Sequence, residues 1–166
     1  MDSDPRAAIE ALIPHRPPFL FVDRIVEASP TEVTTEWDIS PELFAFQGHY
    51  PGEPVLPGVL ITEFALQSGA ILVYHADPED QDAPGVPVMT RIEDARFKQI
   101  VRPGETLRAV VKLEDRLSQA RFMSGKVTSN GKTVARLRFV LAVAPPPAAS
   151  APAGSDSEAT AGSTDA

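Results

Sequence analysis

The chain contains no cysteine among its 166 residues. This absence excludes disulfide bonds, thiolate chemistry and zinc sites with cysteine ligands. Basic residues are also few: 15 Lys and Arg stand against 23 Asp and Glu, which gives a formal net charge of −8. Because binding to phosphate backbones needs clustered Lys and Arg, this balance argues against nucleic acid as a partner.

We also expect neither a targeting signal nor a membrane span. Residues 1–5 (MDSDP) are acidic and have neither a basic n-region nor an apolar h-region, so we expect no signal peptide. The longest apolar run, residues 59–74, is interrupted by polar side chains such as Glu63 and Gln67. It is too short and too polar for a membrane span, and we predict a buried helix instead. We therefore expect a cytoplasmic protein without membrane insertion.

The composition divides the chain into one domain and a tail. Residues 144–166 consist of Pro, Ala, Ser, Gly and Thr with a few acidic residues and no large apolar side chain. Such a segment cannot bury enough apolar surface to offset its loss of conformational entropy, so we predict a disordered tail. Residues 4–143 have an ordinary globular composition and the length of a single domain.

The first half of the chain predicts a short helix, a hairpin and a long helix. Asp4-Pro5 before residues 6–12 is typical of a capped helix that begins with proline. Residues 19–28 and 31–39 are rich in β-forming residues and predict two paired strands. Residues 40–57 contain several prolines and glycines and are predicted to be irregular. Residues 58–75 are apolar on all sides, as expected of a helix that other elements surround.

The second half predicts a loop over residues 77–87 and then a run of strands. Four extended segments follow one another, at residues 88–101, 106–117, 121–129 and 132–143. Asn130-Gly131 is a strong signal for a two-residue hairpin turn between the last two. One long helix against one meandering antiparallel sheet is a two-layer α+β domain. The exposed edge of such a sheet favours dimerisation.

Residues 48–63 (GHYPGEPVLPGVLITE) contain two features that could act on a carbonyl compound. His49 lies in a loop stiffened by Gly and Pro, and imidazole is the usual general base near neutral pH. Gly58 begins the long helix, so the N–H groups of Gly58 and Val59 lack helical acceptors and could polarise a carbonyl oxygen. The alternatives are an idle loop histidine and a Pro-Gly step that only starts a helix.

Glu63 is the candidate acid. Its neighbours on the helix are mostly apolar, and burial disfavours a charged carboxylate, so we expect Glu63 to donate a proton near neutral pH. Gln67 lies one turn later and could hold it by a hydrogen bond. The alternative is a solvent-facing glutamate at the helix rim. His15 and His75 are interpreted as a packed loop residue and a helix-terminal cation, and the wide spacing of the histidines predicts no metal site.

Three blocks of this sequence resemble the FabZ-type 3-hydroxyacyl-[acyl-carrier-protein] dehydratases. Residues 14–24 (PHRPPFLFVDR) are similar to the family's PHRxPFLLVDR opening. Residues 48–60 (GHYPGEPVLPGVL) match its GHFPxxPxxPGVL block, and Glu63 and Gln67 follow at the family's spacing. Residues 95–105 (ARFKQIVRPGE) resemble ARFxxPVxPGD. The resemblance extends in order over residues 12–143.

This resemblance implies a hot-dog fold, in which an antiparallel sheet wraps a long central helix, and a homodimer or a trimer of dimers. It implies conversion of a (3R)-3-hydroxyacyl thioester to the trans-2-enoyl thioester. His49 would take the C2 proton, Glu63 would protonate the departing hydroxyl, and the N–H of Gly58 would polarise the thioester carbonyl. In this family, the His and Glu that face one tunnel come from different subunits, and the resemblance implies the same arrangement here. The substrate arrives on the phosphopantetheine arm of an acyl carrier protein, so no bound cofactor is expected.

Carrier protein is strongly acidic and needs a local basic dock. Arg96, Lys98 and Arg102 alternate along one predicted strand and are the candidates, although a solvated strand face would look the same. Three other functions fit parts of the pattern. A hot-dog thioesterase acting on acyl-CoA does not require His49, and a non-enzymatic acyl-thioester binding module requires neither His49 nor Glu63. A dehydratase that is also an isomerase usually carries Asp where this chain has Glu63.

Overall fold

The computed structural model describes residues 4–76 and 85–144, which form a six-stranded antiparallel sheet wrapped around a long helix. The elements in chain order are α1 (Pro5–Leu12), β1 (Arg24–Ala28), β2 (Glu32–Asp38), α2 (Gly58–Ala76), β3 (Val86–Phe97), β4 (Thr106–Leu117), β5 (Ala120–Ser129) and β6 (Lys132–Ala144). A short 3-10 helix, Phe44–Gln47, lies in the long loop before α2. The two-layer α+β prediction and the hot-dog architecture are confirmed.

Helix α1 begins as its sequence predicts. The Asp4 carboxylate accepts a hydrogen bond from the backbone N–H of Arg6 at 3.0 Å, and Pro5 occupies the first helical position. Proline is favourable there because its missing N–H would have had no helical acceptor. The buried side chain of this helix, Ile9, joins the core.

Helix α2 is the centre of the core, as predicted. Thirteen of its residues are buried, and Phe64 packs against Trp37 of β2 with ring centroids 5.8 Å apart. The prediction that this segment is too short and too polar for a membrane span was wrong, since its length and hydropathy alone would allow one. Its burial inside the domain, 72% of the apolar window, is what identifies it as a core helix.

The strand order is β1-β2-β4-β5-β6-β3. Strands β4, β5 and β6 form the predicted meander, and both Asn130 (φ 50°) and Gly131 (φ 75°) adopt the left-handed conformation that the predicted two-residue turn requires. The predicted meander is wrong for β3, because this strand pairs with β6 and not with β4, the next strand in the chain. This twelve-residue strand therefore forms one edge of the sheet.

Two predicted strands differ from the observed ones by more than one residue at an end. Residues 19–23 are not part of β1, because the Gln67 side chain bonds the backbone of Phe19 and Phe21 in place of a neighbouring strand. The strand predicted at 88–101 is β3, which begins at Val86 and ends at Phe97. Beyond it the chain turns toward the loop before α2, where the N–H of Leu56 donates to the carbonyl of Val101 at 2.9 Å.

The remaining predictions of chain organisation lie largely outside the described residues. Residues 77–84 of the predicted loop are not described, and Val86 and Pro87, which the sequence also assigned to that loop, belong to β3. The described part of the chain ends at Ala144, the last residue of β6. Ala144 was predicted to be the first residue of the tail, and that boundary was wrong by one residue; residues 145–166 of the predicted tail lie outside the described residues.

Candidate active site

The ring of His49 is held by a backbone carbonyl. Its Nδ1 lies 2.8 Å from the carbonyl oxygen of Val55, and the residue is half-buried. A carbonyl oxygen only accepts, so the hydrogen is on Nδ1 and, in the neutral ring, Nε2 keeps its lone pair. The adjacent Tyr50 ring covers the imidazole at a centroid distance of 4.4 Å. His49 is therefore oriented as a base through Nε2.

The loop that carries His49 is tied to its surroundings at several points. The backbone N–H of His49 donates to the carbonyl of Ala45 at 2.9 Å, and that of Glu53 donates to Tyr50 at 3.0 Å. The Glu53 carboxylate also forms an ion pair with Arg102 at 2.9 Å. These bonds give the loop a fixed course, as its proline and glycine content predicts.

The start of α2 presents two free backbone donors. The carbonyl of Pro57 accepts from Leu60 at 3.0 Å and from Ile61 at 3.3 Å. Within residues 4–76 and 85–144, the N–H groups of Gly58 and Val59 have no acceptor, as the helix geometry requires. The partial positive charge of the helix N-terminus lies at the same place. These two groups are placed to polarise a carbonyl oxygen.

Gly58 is also a point of close packing. A Cβ atom at this position would lie 3.2 Å from Cε1 of Phe97, which is tighter than ordinary van der Waals contact. The ring of Phe97, at the end of β3, is half exposed. An alanine at position 58 would have to displace this ring.

Glu63 forms the hydrogen bond that its spacing to Gln67 predicts. The Nε2 amide of Gln67 donates to Oε1 of Glu63 at 3.0 Å. The Glu63 side chain is 22% exposed, whereas Gln67 is buried. Gln67 also donates to the carbonyl of Phe19 at 3.1 Å, which fixes the amide that holds the acid.

Glu63 and Gln67 open onto a cavity of about 250 Å³ between α2 and β3. Most of its other lining residues are apolar: Leu66, Ala70, Pro87, Val88, Met89 and Leu141. His15 completes the lining, and its Nε2 lies 3.6 Å from Oε1 of Glu63. The sequence interpretation set His15 aside as a packed loop residue. Its place in the first of the three family-like blocks was the signal that could have identified it.

One chain does not bring the two candidate catalytic side chains together. In the part of the chain that the structure describes, His49 and Glu63 share neither a hydrogen bond nor an ion pair, and His49 does not line the cavity beside Glu63. Each is separately fixed, His49 by Val55 and Glu63 by Gln67. The geometry therefore gives two half-sites.

The three basic residues predicted to bind carrier protein do not alternate along one strand. Arg96 lies in β3 and pairs with Asp94 at 3.0 Å, whereas Lys98 and Arg102 lie beyond the end of that strand. The strand ends early because the chain turns toward the loop before α2. All three remain exposed, and Lys98 has no ion pair among the described residues.

The family of FabA-like domains matches residues 13–138. The chain belongs to this family. Relatives of this FabA-like domain include a 3-hydroxyacyl-[acyl-carrier-protein] dehydratase FabZ from Chloroflexus aggregans, 50% identical over 107 residues that cover 64% of this chain and 72% of the relative. A FabZ dehydratase from Solibacter usitatus is 37% identical over 145 residues, which cover 85% and 88% of the two chains. The resemblance to the FabZ-type dehydratases is thereby confirmed.

Solved structures share the fold at low sequence identity. The dehydratase heterocomplex ApeI:P from Xenorhabdus doucetiae matches with a TM-score of 0.70 and 14% identity, over 82% of this chain and 90% of that one. A hypothetical thioesterase with coenzyme A from Streptococcus pneumoniae matches with a TM-score of 0.58 and 10% identity, over 74% and 85%. Because the same fold occurs in both, the choice between the two activities depends on the site and on the closer FabZ relatives.

Proposed function

We propose that this chain removes water from a (3R)-3-hydroxyacyl-[acyl-carrier-protein], with His49 as the base and Glu63 as the acid. The chain is a hydro-lyase of the FabZ type, acting in fatty-acid or related acyl-chain biosynthesis. The observation that supports these roles best is the bond from Nδ1–H of His49 to the Val55 carbonyl, because it leaves Nε2 as an acceptor for a proton. The hot-dog thioesterase alternative does not require this histidine.

The proposed step follows from the chemistry of a thioester. Nε2 of His49 takes a proton from C2, and the electrons of that C–H bond form the C2–C3 double bond. The bond between C3 and its hydroxyl breaks as Glu63 transfers its proton to the oxygen, and water leaves. The N–H groups of Gly58 and Val59 donate to the thioester oxygen and stabilise the negative charge that develops there, an effect typically worth about 3–4 kcal/mol per donor. The charged His49 and Glu63 that remain return to their starting forms by exchange with water.

A complete site then needs a second copy of the chain. Two observations support this: no contact joins His49 and Glu63 in the part of one chain that the structure describes, and β3 leaves one side of its backbone unpaired along the sheet edge. Apolar side chains on this strand are exposed, among them Met89 (48%) and Phe97 (50%). A long exposed apolar edge strand is normally covered by another element. A homodimer through β3, or a trimer of such dimers, would cover it and set His49 of one copy beside Glu63 of the other.

We propose that the partner that delivers the substrate is an acyl carrier protein with its acyl chain on phosphopantetheine, and that the protein acts in the cytoplasm. Arg96, Lys98 and Arg102 are proposed as its dock. Arg96 also pairs in register with Arg136 of β6, which pairs with Lys126 of β5, so three cations occupy one row across the sheet. Like charges opposite one another destabilise a sheet, and an acidic partner would relieve this repulsion.

The dock can be tested by comparing two forms of one substrate. We expect Lys98→Glu to raise KM for the carrier-protein thioester and to leave KM for the coenzyme A thioester unchanged. Lys132→Glu, at the turn between β5 and β6, is the matched control. An equal effect of both variants on both substrates would rule out Lys98 as a specific contact.

Activity measurements on catalytic variants test the reaction itself. The wild-type protein is expected to convert 3-hydroxyacyl-carrier-protein substrates to the enoyl product without releasing thiol. His49→Ala and Glu63→Gln are each expected to lose about a hundredfold to ten-thousandfold in kcat, the usual contribution of a general acid or base. His75→Ala, on the exposed end of α2, is the control and should behave like wild type. Thiol release from a saturated acyl thioester would support the thioesterase alternative, and near wild-type turnover by either variant would refute that residue's role.

A further inference from the structure

The ring of His15 is held at the cavity by a clamped loop. The guanidinium of the adjacent Arg16 donates to the carbonyl oxygens of Glu10, Ile13 and His15 at 2.8, 2.8 and 2.7 Å. The Glu10 carbonyl belongs to the last turn of α1, where carbonyl groups lack helical donors. The loop after α1 therefore has a defined course, and His15 enters the cavity from a fixed backbone.

The surroundings of His15 determine which neutral tautomer the ring adopts. Burial lowers its pKa, Glu63 opposes this by raising it, and Arg16 lowers it further, so that the ring is neutral at pH 7. Nδ1 is buried and has no hydrogen-bond partner among the described residues. A buried N–H without an acceptor is rarer and costlier than a buried acceptor without a donor. The hydrogen is therefore on Nε2, the nitrogen that faces Glu63.

The two carboxylate oxygens of Glu63 have different surroundings. Oε1 accepts from Nε2 of Gln67 at 3.0 Å and lies 3.6 Å from Nε2 of His15. Oε2 has no hydrogen-bond partner in the described part of the chain. In a protonated carboxyl group, the oxygen that faces hydrogen-bond donors is the carbonyl-type oxygen, and the proton resides on the other one.

We propose that His15 is a positioning residue for Glu63. Its Nε2–H and the Gln67 amide together reserve Oε1 as an acceptor, so the acidic proton is carried by Oε2 and points to the substrate. The separation of 3.6 Å is slightly longer than a hydrogen bond, and such contacts commonly shorten when substrate fills a site. This inference rests on the proposed role of Glu63 as the acid.

Activity assays with two variants of different chemistry test the role. His15→Leu keeps a similar volume and removes both nitrogens, whereas His15→Gln places an amide N–H near the position of Nε2. Because a displaced catalytic group can cost about a hundredfold, we expect His15→Leu to lose about tenfold to a hundredfold in kcat with little change in KM. We expect His15→Gln to recover most of this loss. A residue that only packs the loop would be rescued better by Leu than by Gln, and that result would overturn the inference.

The tautomer provides a second measurement that does not depend on activity. In wild-type protein labelled with 15N-histidine, the Nε2 resonance of His15 at pH 7 is expected to be that of a protonated nitrogen and the Nδ1 resonance that of an unprotonated one. His15→Gln assigns the signals by removing one set, and His75 serves as the internal reference for an exposed ring. A hydrogen on Nδ1, or on both nitrogens, would overturn the inference even if the Leu variant fails to fold.

The failure of this inference can be distinguished from that of the proposed function. If Glu63→Gln is inactive and His15→Leu turns over like wild type, only the role of His15 is refuted. If Glu63→Gln retains activity, the role of the acid is refuted, and the role of His15 with it.

Discussion

The side-chain carbonyl of Gln67 accepts the backbone N–H of Phe21 at 2.8 Å, although the two residues are 46 positions apart in the chain. The same amide donates to Phe19 and to Glu63. The buried Gln67 side chain thus makes the backbone hydrogen bonds to Phe19 and Phe21 that a neighbouring strand would otherwise make. It also holds the candidate acid, Glu63. The fold and the site share this group, so changes at Gln67 should affect both.

Loss of the Gln67 amide should be costly. Gln67→Leu keeps a similar volume but removes three hydrogen bonds, to the Phe21 N–H, the Phe19 carbonyl and the Glu63 carboxylate. At about 1 kcal/mol per bond, we expect a loss of about 3 kcal/mol in the free energy of unfolding. Urea unfolding measures this. Ser68→Ala is the control on the same helix: it removes a buried hydroxyl that bonds Thr35 and the Phe64 carbonyl, each at 2.7 Å, and by the same count should cost about 2 kcal/mol. Dehydratase activity should fall in the Gln67 variant only, and equal effects would contradict this view of Gln67.

Mixed oligomers should recover activity if each site takes His49 from one copy and Glu63 from another. Co-expression of differently tagged His49→Ala and Glu63→Gln chains would produce dimers in which one site is intact and the other carries both substitutions. With random pairing, half of the dimers are mixed, so we expect about a quarter of wild-type activity from two inactive proteins. Sedimentation would report the dimer or the trimer of dimers. Mixed dimers that remain inactive would place both residues of a site in one chain.

Helix α2 should not tolerate an added methyl group where the sheet crosses it. A Cβ atom on Gly69 would lie 2.8 Å from Cε2 of Phe139 and 3.0 Å from Sδ of Met123, both of which are buried. Gly69→Ala gains about 1 kcal/mol of helix propensity but overpacks the core at a cost of about 1–3 kcal/mol. We therefore expect a lower melting temperature for Gly69→Ala. Adding Phe139→Leu should recover part of the loss, and an additive double variant would contradict steric overlap as the cause.

Lowering the pH should remove the contribution of the Glu36 carboxylate to the free energy of unfolding. Glu36 accepts from Arg108 at 2.6 Å and from Arg24 at 2.8 Å, and these bonds, that of Arg108 first, lower its pKa from the ordinary value of 4.5 although partial burial opposes them. A carboxyl group whose pKa is lower in the folded state binds fewer protons there, so its stabilisation is present above pH 4.5 and is lost as the pH falls through the lowered value.

Urea unfolding at pH 7, 5, 4 and 3 measures this dependence. Glu36→Gln should have a lower free energy of unfolding than wild type at pH 7, and the difference in free energy between the two proteins should become smaller below pH 4.5. Glu42→Gln, an exposed residue without an ion pair among those described, should match wild type throughout. A difference for Glu36→Gln that stays constant with pH would show that packing is responsible and that the charge is not.

Local patterns predicted most of the elements because they depend on neighbours in sequence. The Asp4 cap, the apolar α2 and the Asn130-Gly131 turn are each determined by a few adjacent residues. The predictions of secondary structure were wrong where a backbone group bonds a residue that is distant in the sequence. The sequence around Phe19 predicts a strand, but the backbone carbonyl of Phe19 accepts a hydrogen bond from the Gln67 amide and not from another strand.

The sequence by itself determined the family, the two-layer architecture and the identity of the candidate base and acid, since these depend on residue types at fixed spacing. Tertiary structure alone decided that β3 lies on the far side of β6 and that His15 faces Glu63. The family resemblance had implied that His49 and Glu63 of one chain serve different sites, and no contact joins them among the described residues. Strand order and the approach of side chains depend on how elements separated by tens of residues pack against a common core, and no local pattern in a single chain encodes that packing.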